Sequence, residues 1–176
     1  MVKTPAPAAP ASLSALRKFI AACGKAVAWL TLAMVLLTFT IVVLRYGFNL
    51  GWIWLQESLT YLHVLVFCVV AAWALQQDGH VRVDIFYSGM TAKKRARVDL
   101  LGSVVFLVPF CVFILYISWP YVANSWKLLE TSREAGGLPL VFLLKTLIIV
   151  MPALLLGQAL INISDAWKTL RSNGSA

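Results

Sequence analysis

Residues 26–44 read AVAWLTLAMVLLTFTIVVL, an uncharged apolar run that carries three threonines. Threonine hydroxyls can bond back to carbonyls of their own helix, so they are tolerated in an apolar environment. A helix needs about 20 such residues to cross a hydrocarbon core about 30 Å thick. The run lacks the period-two alternation of a membrane strand. It therefore predicts a transmembrane helix.

Three more runs have the same character, and the predicted spans are residues 26–44, 58–75, 100–120 and 138–163. Pro109 removes one backbone hydrogen bond from the third span and predicts a kink there. The fourth span contains Pro152 and one charged residue, Lys145. Because lipid offers backbone groups no partners, each span is expected to be helical. The predicted fold is all-α, an integral membrane four-helix protein.

The composition excludes a soluble enzyme. Of 176 residues, 61% are hydrophobic and 12% are charged, and the mean hydropathy is +0.84. A soluble protein of this size leaves about a third of its unfolded-chain surface in water. This chain has too little polar material to cover that surface.

The positive charges predict the orientation of the spans. Eleven of the fifteen lysines and arginines precede the first span, join the second to the third, or follow the fourth. Three lie in the other two connections, and Lys145 lies within a span. Since cytoplasmic segments carry the excess of positive charge, both termini are expected in the cytoplasm.

The ends of the chain are expected to differ from the membrane domain, residues 17–168. Residues 1–16 are rich in proline, alanine and serine and predict a flexible tail, and residues 169–176 form a second tail. A short amphipathic segment with Arg17, Lys18 and Lys25 is expected on the cytoplasmic membrane surface. A cleaved signal peptide is the competing interpretation, but the apolar run is too long and no cleavage pattern follows it.

The sequence offers no catalytic, cofactor or metal site. Cys23, Cys68 and Cys111 are isolated, and no phosphate-binding loop, nucleophile elbow or metal-binding helix motif is present. Haem between facing helices would require two well-placed histidines. His63 and His80 belong to one helix and its adjoining loop, so they are poorly placed to ligate one haem.

Two ionisable residues of the spans invite a functional interpretation. Glu57 lies at the outer end of the second span, and Lys145 lies about two turns into the fourth, so the two are expected at similar depth. They would either contact a partner subunit or form a gate, or they would form an internal ion pair. Lys145 could instead snorkel to the headgroups. For His63, a hydrogen-bonded packing role is favoured over proton relay.

Three motifs stand in order around the second span. They are Arg45-Tyr46-Gly47-Phe48-Asn49, Trp54-Leu55-Gln56-Glu57-Ser58-Leu59 and Asp78-Gly79-His80-Val81-Arg82-Val83-Asp84. In this order they resemble the small, Q-type membrane subunit of tripartite ATP-independent periplasmic (TRAP) transporters. Weaker echoes are Gly136-Gly137-Leu138-Pro139 and Lys145. Family members often have two successive acids where this chain has Gln56-Glu57, which puts in doubt any role for a carboxylate pair.

The resemblance implies a function. In such transporters a periplasmic binding protein captures an organic acid or related solute, and a large multi-span subunit carries it with sodium by an elevator-type movement. The small subunit extends the static scaffold in the inner membrane and offers part of the periplasmic docking surface. The large subunit is then a separate chain, and no sodium or substrate site is expected in the small one.

The resemblance and the charges together suggest where contacts form. Candidates for partner or structural contacts are Arg45, Asn49, Trp54, Glu57, Glu130, Arg133, Glu134 and Lys145. Asp78, His80, Arg82 and Asp84 form a cytoplasmic motif. Lys93, Lys94, Arg95 and Arg97 form a basic cluster expected to contact anionic lipid headgroups. No aromatic platform accompanies this cluster, so nucleic-acid binding is not expected.

Two other functions remain open at this point. One is a membrane anchor subunit of a redox complex. The other is a self-sufficient small channel or exporter formed by oligomerisation.

Overall fold

The computed structural model describes residues 11–77 and 89–172. In chain order the helices are α1 (Ala11–Gly47), α2 (Ile53–Gln76), α3 (Ala92–Leu101), a π-helical segment (Gly102–Leu107), α4 (Val108–Leu128) and α5 (Val141–Ser172). No strand occurs in these residues. The all-α prediction is confirmed.

Within the described residues, four helical stretches are long and apolar enough to cross a membrane. They are Leu13–Gly47, Ile53–Gln76, Ala92–Leu128 and Val141–Arg171. Each overlaps one predicted span and extends beyond it. The exception is the start of the fourth predicted span, residues 138–140, which precede α5. The predicted bounds followed apolar composition, whereas a helix continues into polar residues as long as its backbone bonds and side-chain packing persist.

The N-terminal amphipathic stretch is continuous with α1 and is not a separate segment. Residues 11–16, expected in the flexible tail, belong to this helix, and α5 continues through residues expected in the second tail. Ile20 is 1% exposed in the bundle core. Gly24 allows close contact with α2, because a β-carbon there would lie 2.4 Å from Trp73 Cγ. Packing against α2 therefore fixes this stretch within the bundle.

A π-helical segment, Gly102–Leu107, lies just before Pro109, the residue at which a kink was predicted. The Val108 N–H donates to the Ser103 carbonyl, five residues earlier. Pro109 follows in the first turn of α4 and has no N–H to donate. A π-helical turn is one way a helix absorbs such an interruption. The third span is therefore irregular on the N-terminal side of Pro109.

Helix α5 is the centre of the bundle and packs against α1, α2, α3 and α4. The core comprises Ile20, Ala72, Cys111, Leu155 and Ile161. At the end formed by the N-terminal part of α1 and the C-terminal part of α5, Arg17 pairs with Asp165. Gln76 Nε2 also donates to the Arg17 carbonyl at 3.0 Å. Polar contacts thus fasten α1, α2 and α5 together at this end.

Large apolar side chains cover the outside of the bundle. Trp29 and Phe39 of α1 are 74% and 68% exposed. The most hydrophobic stretch of α1 contains no buried residue. Such a surface is unfavourable in water and suits a hydrocarbon solvent.

Candidate functional site: a polar cluster holding the loop between α4 and α5

The loop of residues 129–140 begins with a reversal of the chain at the end of α4. Leu129 has a left-handed backbone with φ of 45°, and its N–H donates to the Trp126 carbonyl at 3.2 Å. The Glu130 N–H donates to the Ser125 carbonyl at 3.1 Å. A left-handed residue after a helix satisfies the last carbonyls in this way. The reversal brings the Glu130 carboxylate back over the last turns of α4.

Glu130 joins α4 to α5. Its Oε2 accepts a hydrogen bond from the Ser125 hydroxyl at 2.7 Å and another from Lys145 Nζ at 2.5 Å. The Lys145 ammonium also lies 4.0 Å from the centroid of the Tyr121 ring, within range of a cation–π interaction. Since the Lys145 side chain is only 15% exposed, its charge is neutralised within the chain.

The electrostatics of Glu130 follow from these two donors. The hydrogen bond from Lys145, and next that from Ser125, hold the pKa of the Glu130 carboxyl below its ordinary value of 4.5. Both interactions favour the charged form of the carboxyl. Glu130 is therefore ionised at neutral pH, and its link to Lys145 is a charge-assisted hydrogen bond.

Glu57 joins α2 to the second half of the same loop. Its Oε1 accepts a hydrogen bond from the Ser132 hydroxyl, and its Oε2 accepts one from the Leu138 N–H at 2.6 Å. The Ser132 N–H donates to the Leu138 carbonyl at 3.1 Å. At Gly137 a β-carbon would lie 2.4 Å from Ser132 Oγ and 2.8 Å from Glu57 Oε1. Only glycine fits this position without moving the carboxylate or the hydroxyl.

We call these six residues the loop cluster: Glu57, Tyr121, Ser125, Glu130, Ser132 and Lys145. Glu57 and Lys145 do not pair with each other, because each binds a different residue of the loop. The internal ion pair, one of the alternatives for these two residues, is therefore not formed, and each instead makes its own contact with the loop. Three helices, α2, α4 and α5, are thereby connected through the loop.

The candidates of the first connection are not part of the loop cluster. Arg45 is exposed in the last turn of α1, and Trp54 is 46% exposed in the first turn of α2. Asn49 has a left-handed backbone with φ of 54°. Asparagine tolerates this conformation better than most residues, so Asn49 shapes the turn between the two helices.

The remaining candidates lie on surfaces or outside the described residues. Arg133 and Glu134 are exposed in the α4–α5 loop. In the basic cluster on α3, Lys93, Lys94 and Arg97 are exposed and Arg95 is half-buried. The cytoplasmic motif of Asp78, His80, Arg82 and Asp84 lies outside the described residues.

The neutral members of the loop cluster could not be predicted from the sequence. Tyr121, Ser125 and Ser132 carry no signal as isolated residues. One usable signal was the polar run that follows the third apolar span, close in sequence to Gly136 and Gly137. Trp126 was also missed as a contact: its Nε1 donates to the Thr146 hydroxyl at 2.8 Å, and its ring packs edge-on against Phe142.

The chain is similar to known proteins over most of its length. The family model for the DctQ component of tripartite ATP-independent periplasmic transporters matches residues 34–169. The C4-dicarboxylate TRAP transporter small permease protein DctQ of Vibrio cholerae serotype O1 is 29% identical over 111 residues. That alignment covers 61% of this chain and 46% of the relative, so the chain spans about half the length of the curated relative. No solved structure gives a significant match.

The family match includes residues 34–47 of α1, all of α2 to α4 and most of α5. It therefore contains every residue of the loop cluster. Members of this family are components of transporters and are not enzymes. Four apolar helices and the family together identify a multi-pass protein of the inner membrane. The chain belongs to the family of DctQ components, the small permease subunits of tripartite ATP-independent periplasmic transporters.

Proposed function

We propose that this chain is a static scaffold subunit that binds a large multi-span subunit, which imports an organic anion together with sodium. The solute would first be captured by a periplasmic binding protein. Family membership supports the assembly, and the name of the relative, a C4-dicarboxylate transporter, supports a carboxylate as cargo. Family membership also disfavours the alternative of a redox anchor.

One observation carries the proposal: Glu57 and Lys145, the charged groups singled out in the spans, bind partners within this chain. Glu57 is held by Ser132 and Leu138, and Lys145 is held by Glu130. A solute path needs polar groups that can exchange partners with the cargo. The side chains of these two residues bind a loop and hold it in position. This arrangement suits a scaffold better than a carrier.

The loop between α4 and α5 is proposed to face the periplasm. The positive-inside rule supports this side, because the basic cluster on α3 lies at the other end of the third span. The loop cluster would then hold a rigid platform at the outer surface, on which Arg133 and Glu134 are exposed. Exposed charges of both signs steer and orient a partner without binding it tightly. We propose that the solute-loaded binding protein docks there.

The assembly is tested by co-expressing the tagged chain with the large subunit of its transporter and purifying both in mild detergent. We expect the two to co-purify and to support solute uptake in cells that also supply the binding protein. Omission of this chain should abolish uptake. Undiminished uptake without it would refute the scaffold role.

The docking surface is tested by charge reversal at Arg133 and Glu134. The double variant R133E/E134R is expected to raise the concentration of binding protein needed for half-maximal uptake, most strongly at low salt. The matched control is K93E/K94E at the other end of the third span, which should leave that concentration unchanged. Equal effects of the two double variants would argue against docking at the loop.

A further inference from the structure

Helix α2 presents an outward face that carries polar side chains. Gln56, Thr60, His63 and Phe67 are exposed and recur at intervals of three or four residues, so they lie on one side of the helix. The buried Ala72 lies on the opposite side at helical spacing. We call these four residues the α2 outer face.

The depth of His63 is the first observation of interest. At 1.5 Å per residue, His63 lies about 15 Å along α2 from Ile53 and about 20 Å from Gln76. These distances place the imidazole near the middle of a hydrocarbon core about 30 Å thick. A histidine side chain is too short to reach the headgroups from this depth, in contrast to lysine or arginine near a helix end.

The second observation is that His63 has no polar partner among the residues that the structure describes. Within the described residues its ring neighbour is Phe67, with centroids 6.4 Å apart, and no hydrogen bond to its nitrogens is present. A neutral imidazole carries one donor and one acceptor. Lipid tails satisfy neither, and leaving them unsatisfied is costly.

Exposed side chains on two other helices show what compatibility with lipid requires. On α1, the exposed Thr38 and Thr40 donate to the carbonyls of Met34 and Leu36, each at 2.8 Å. On α4, Phe113 is 57% exposed and lies opposite the buried Cys111. Thr38 and Thr40 thus satisfy their hydroxyls within their own helix, and Phe113 presents an apolar ring, whereas the imidazole of His63 does neither.

We propose that the α2 outer face is the surface that packs against a transmembrane helix of the large subunit, and that His63 forms a hydrogen bond with a polar side chain of that helix. This inference rests on the proposed function, which supplies the partner. The partner helix must carry a hydrogen-bonding side chain at mid-membrane depth, because only such a group satisfies the imidazole there. Thr60 and Gln56 extend the polar contact toward the N-terminal end of α2.

Photocrosslinking in the intact complex tests the proposal. A photoreactive phenylalanine analogue replaces Phe67 on the α2 outer face or, as a matched control, Phe113 on α4, whose exposed fractions are 69% and 57%. On irradiation of membranes that contain the co-expressed large subunit, the variant at Phe67 should crosslink to that subunit. The variant at Phe113 should give no such product. A Phe67 product with a second copy of the chain, or with lipid alone, would overturn the inference.

The role of His63 itself is tested by a pair of variants. His63→Leu should reduce the yield of co-purified large subunit about threefold, the effect of one average interhelical hydrogen bond in a membrane. His63→Gln, which keeps a donor and an acceptor, should restore the yield. Equal yields for His63→Leu and the parent chain would overturn the role of the imidazole.

Failure of this inference is distinguishable from failure of the proposed function. If the parent chain co-purifies with the large subunit but Phe113 crosslinks and Phe67 does not, the scaffold function stands and the assigned face is wrong. If the parent chain does not co-purify with the large subunit at all, the proposed function fails and the inference fails with it.

Discussion

At the scale of single residues, Lys145 shows how a charge is accommodated within a membrane span. Its ammonium has an acidic partner in Glu130 and an aromatic ring in Tyr121. Removing one member of a desolvated pair leaves the other charge uncompensated. The partners in the loop therefore decide what a substitution at Lys145 does.

We expect Glu130→Gln and Lys145→Met to act through one interaction. Each is expected to lower the thermal unfolding midpoint in detergent by about 2–4 °C, and the double variant should lose little more than either single variant. For Glu57→Gln combined with Lys145→Met, the decrease in unfolding midpoint should be close to the sum of the two single decreases, since Glu57 and Lys145 contact different loop residues. Strong coupling between Glu57 and Lys145 would contradict the assigned contacts.

The loop cluster is also expected to respond to acid. Because the pKa of Glu130 is lowered in the folded chain, its ionised form stabilises the fold at any pH above the ordinary value near 4.5. This contribution is lost as the pH falls from that value through the lowered pKa. The difference in unfolding midpoint between the parent chain and Glu130→Gln should be constant near neutral pH and shrink below pH 4.5. A difference in midpoint that grows on acidification would mean that folding raises the pKa of Glu130 and would contradict the account.

At the scale of helices, contact between α1 and α2 depends on a glycine. A β-carbon added at Gly24 would meet the Trp73 side chain at 2.4–2.6 Å, and real carbon contacts of this length do not occur. Gly24→Ala should therefore separate the two helices and lower the free energy of unfolding by about 1–3 kcal/mol, the usual effect of overpacking. Gly47→Ala is the matched control in the same helix, because the nearest atom there, Val43 Cγ1, is 4.0 Å away. Similar unfolding free energies for the two variants would show that the contact at Gly24 is unimportant.

The helices could be predicted from the sequence because lipid imposes a strong local rule. Any apolar run of sufficient length must satisfy its own backbone, and the runs around residues 26–44 and 58–75 obey this rule without reference to the rest of the chain. The helix ends did not follow from the same rule. The start of α1 depends on packing of Ile20 and Gly24 against other helices. Local composition carries no information about such packing.

The candidate site was predictable in part. Glu57 and Lys145 could be selected as costly groups in apolar surroundings. Their partners could not, because the positions of Glu130 and Ser132 depend on the left-handed backbone of Leu129 and on the space left by Gly137. Left-handed backbone at a leucine runs against local preference, so the loop conformation is set by contacts distant in sequence.

At the scale of the whole molecule, the orientation in the membrane is open to direct measurement. In a background without the three native cysteines, Ala135→Cys in the α4–α5 loop should react with a membrane-impermeant maleimide added from the periplasmic side. Ala92→Cys at the start of α3 should react only after the inner membrane is permeabilised. Both positions are exposed in the structure, so accessibility to the reagent depends on the side of the membrane. The reversed pattern would invert the topology and remove the proposed periplasmic platform.

The central claim is that this chain supports transport without carrying the solute itself. Proteoliposomes that contain only this chain should show no uptake of sodium or of a C4-dicarboxylate above protein-free vesicles. Addition of the large subunit and the binding protein should establish uptake. Flux of either species through vesicles that hold this chain alone would contradict the claim and favour a self-sufficient oligomeric channel or exporter.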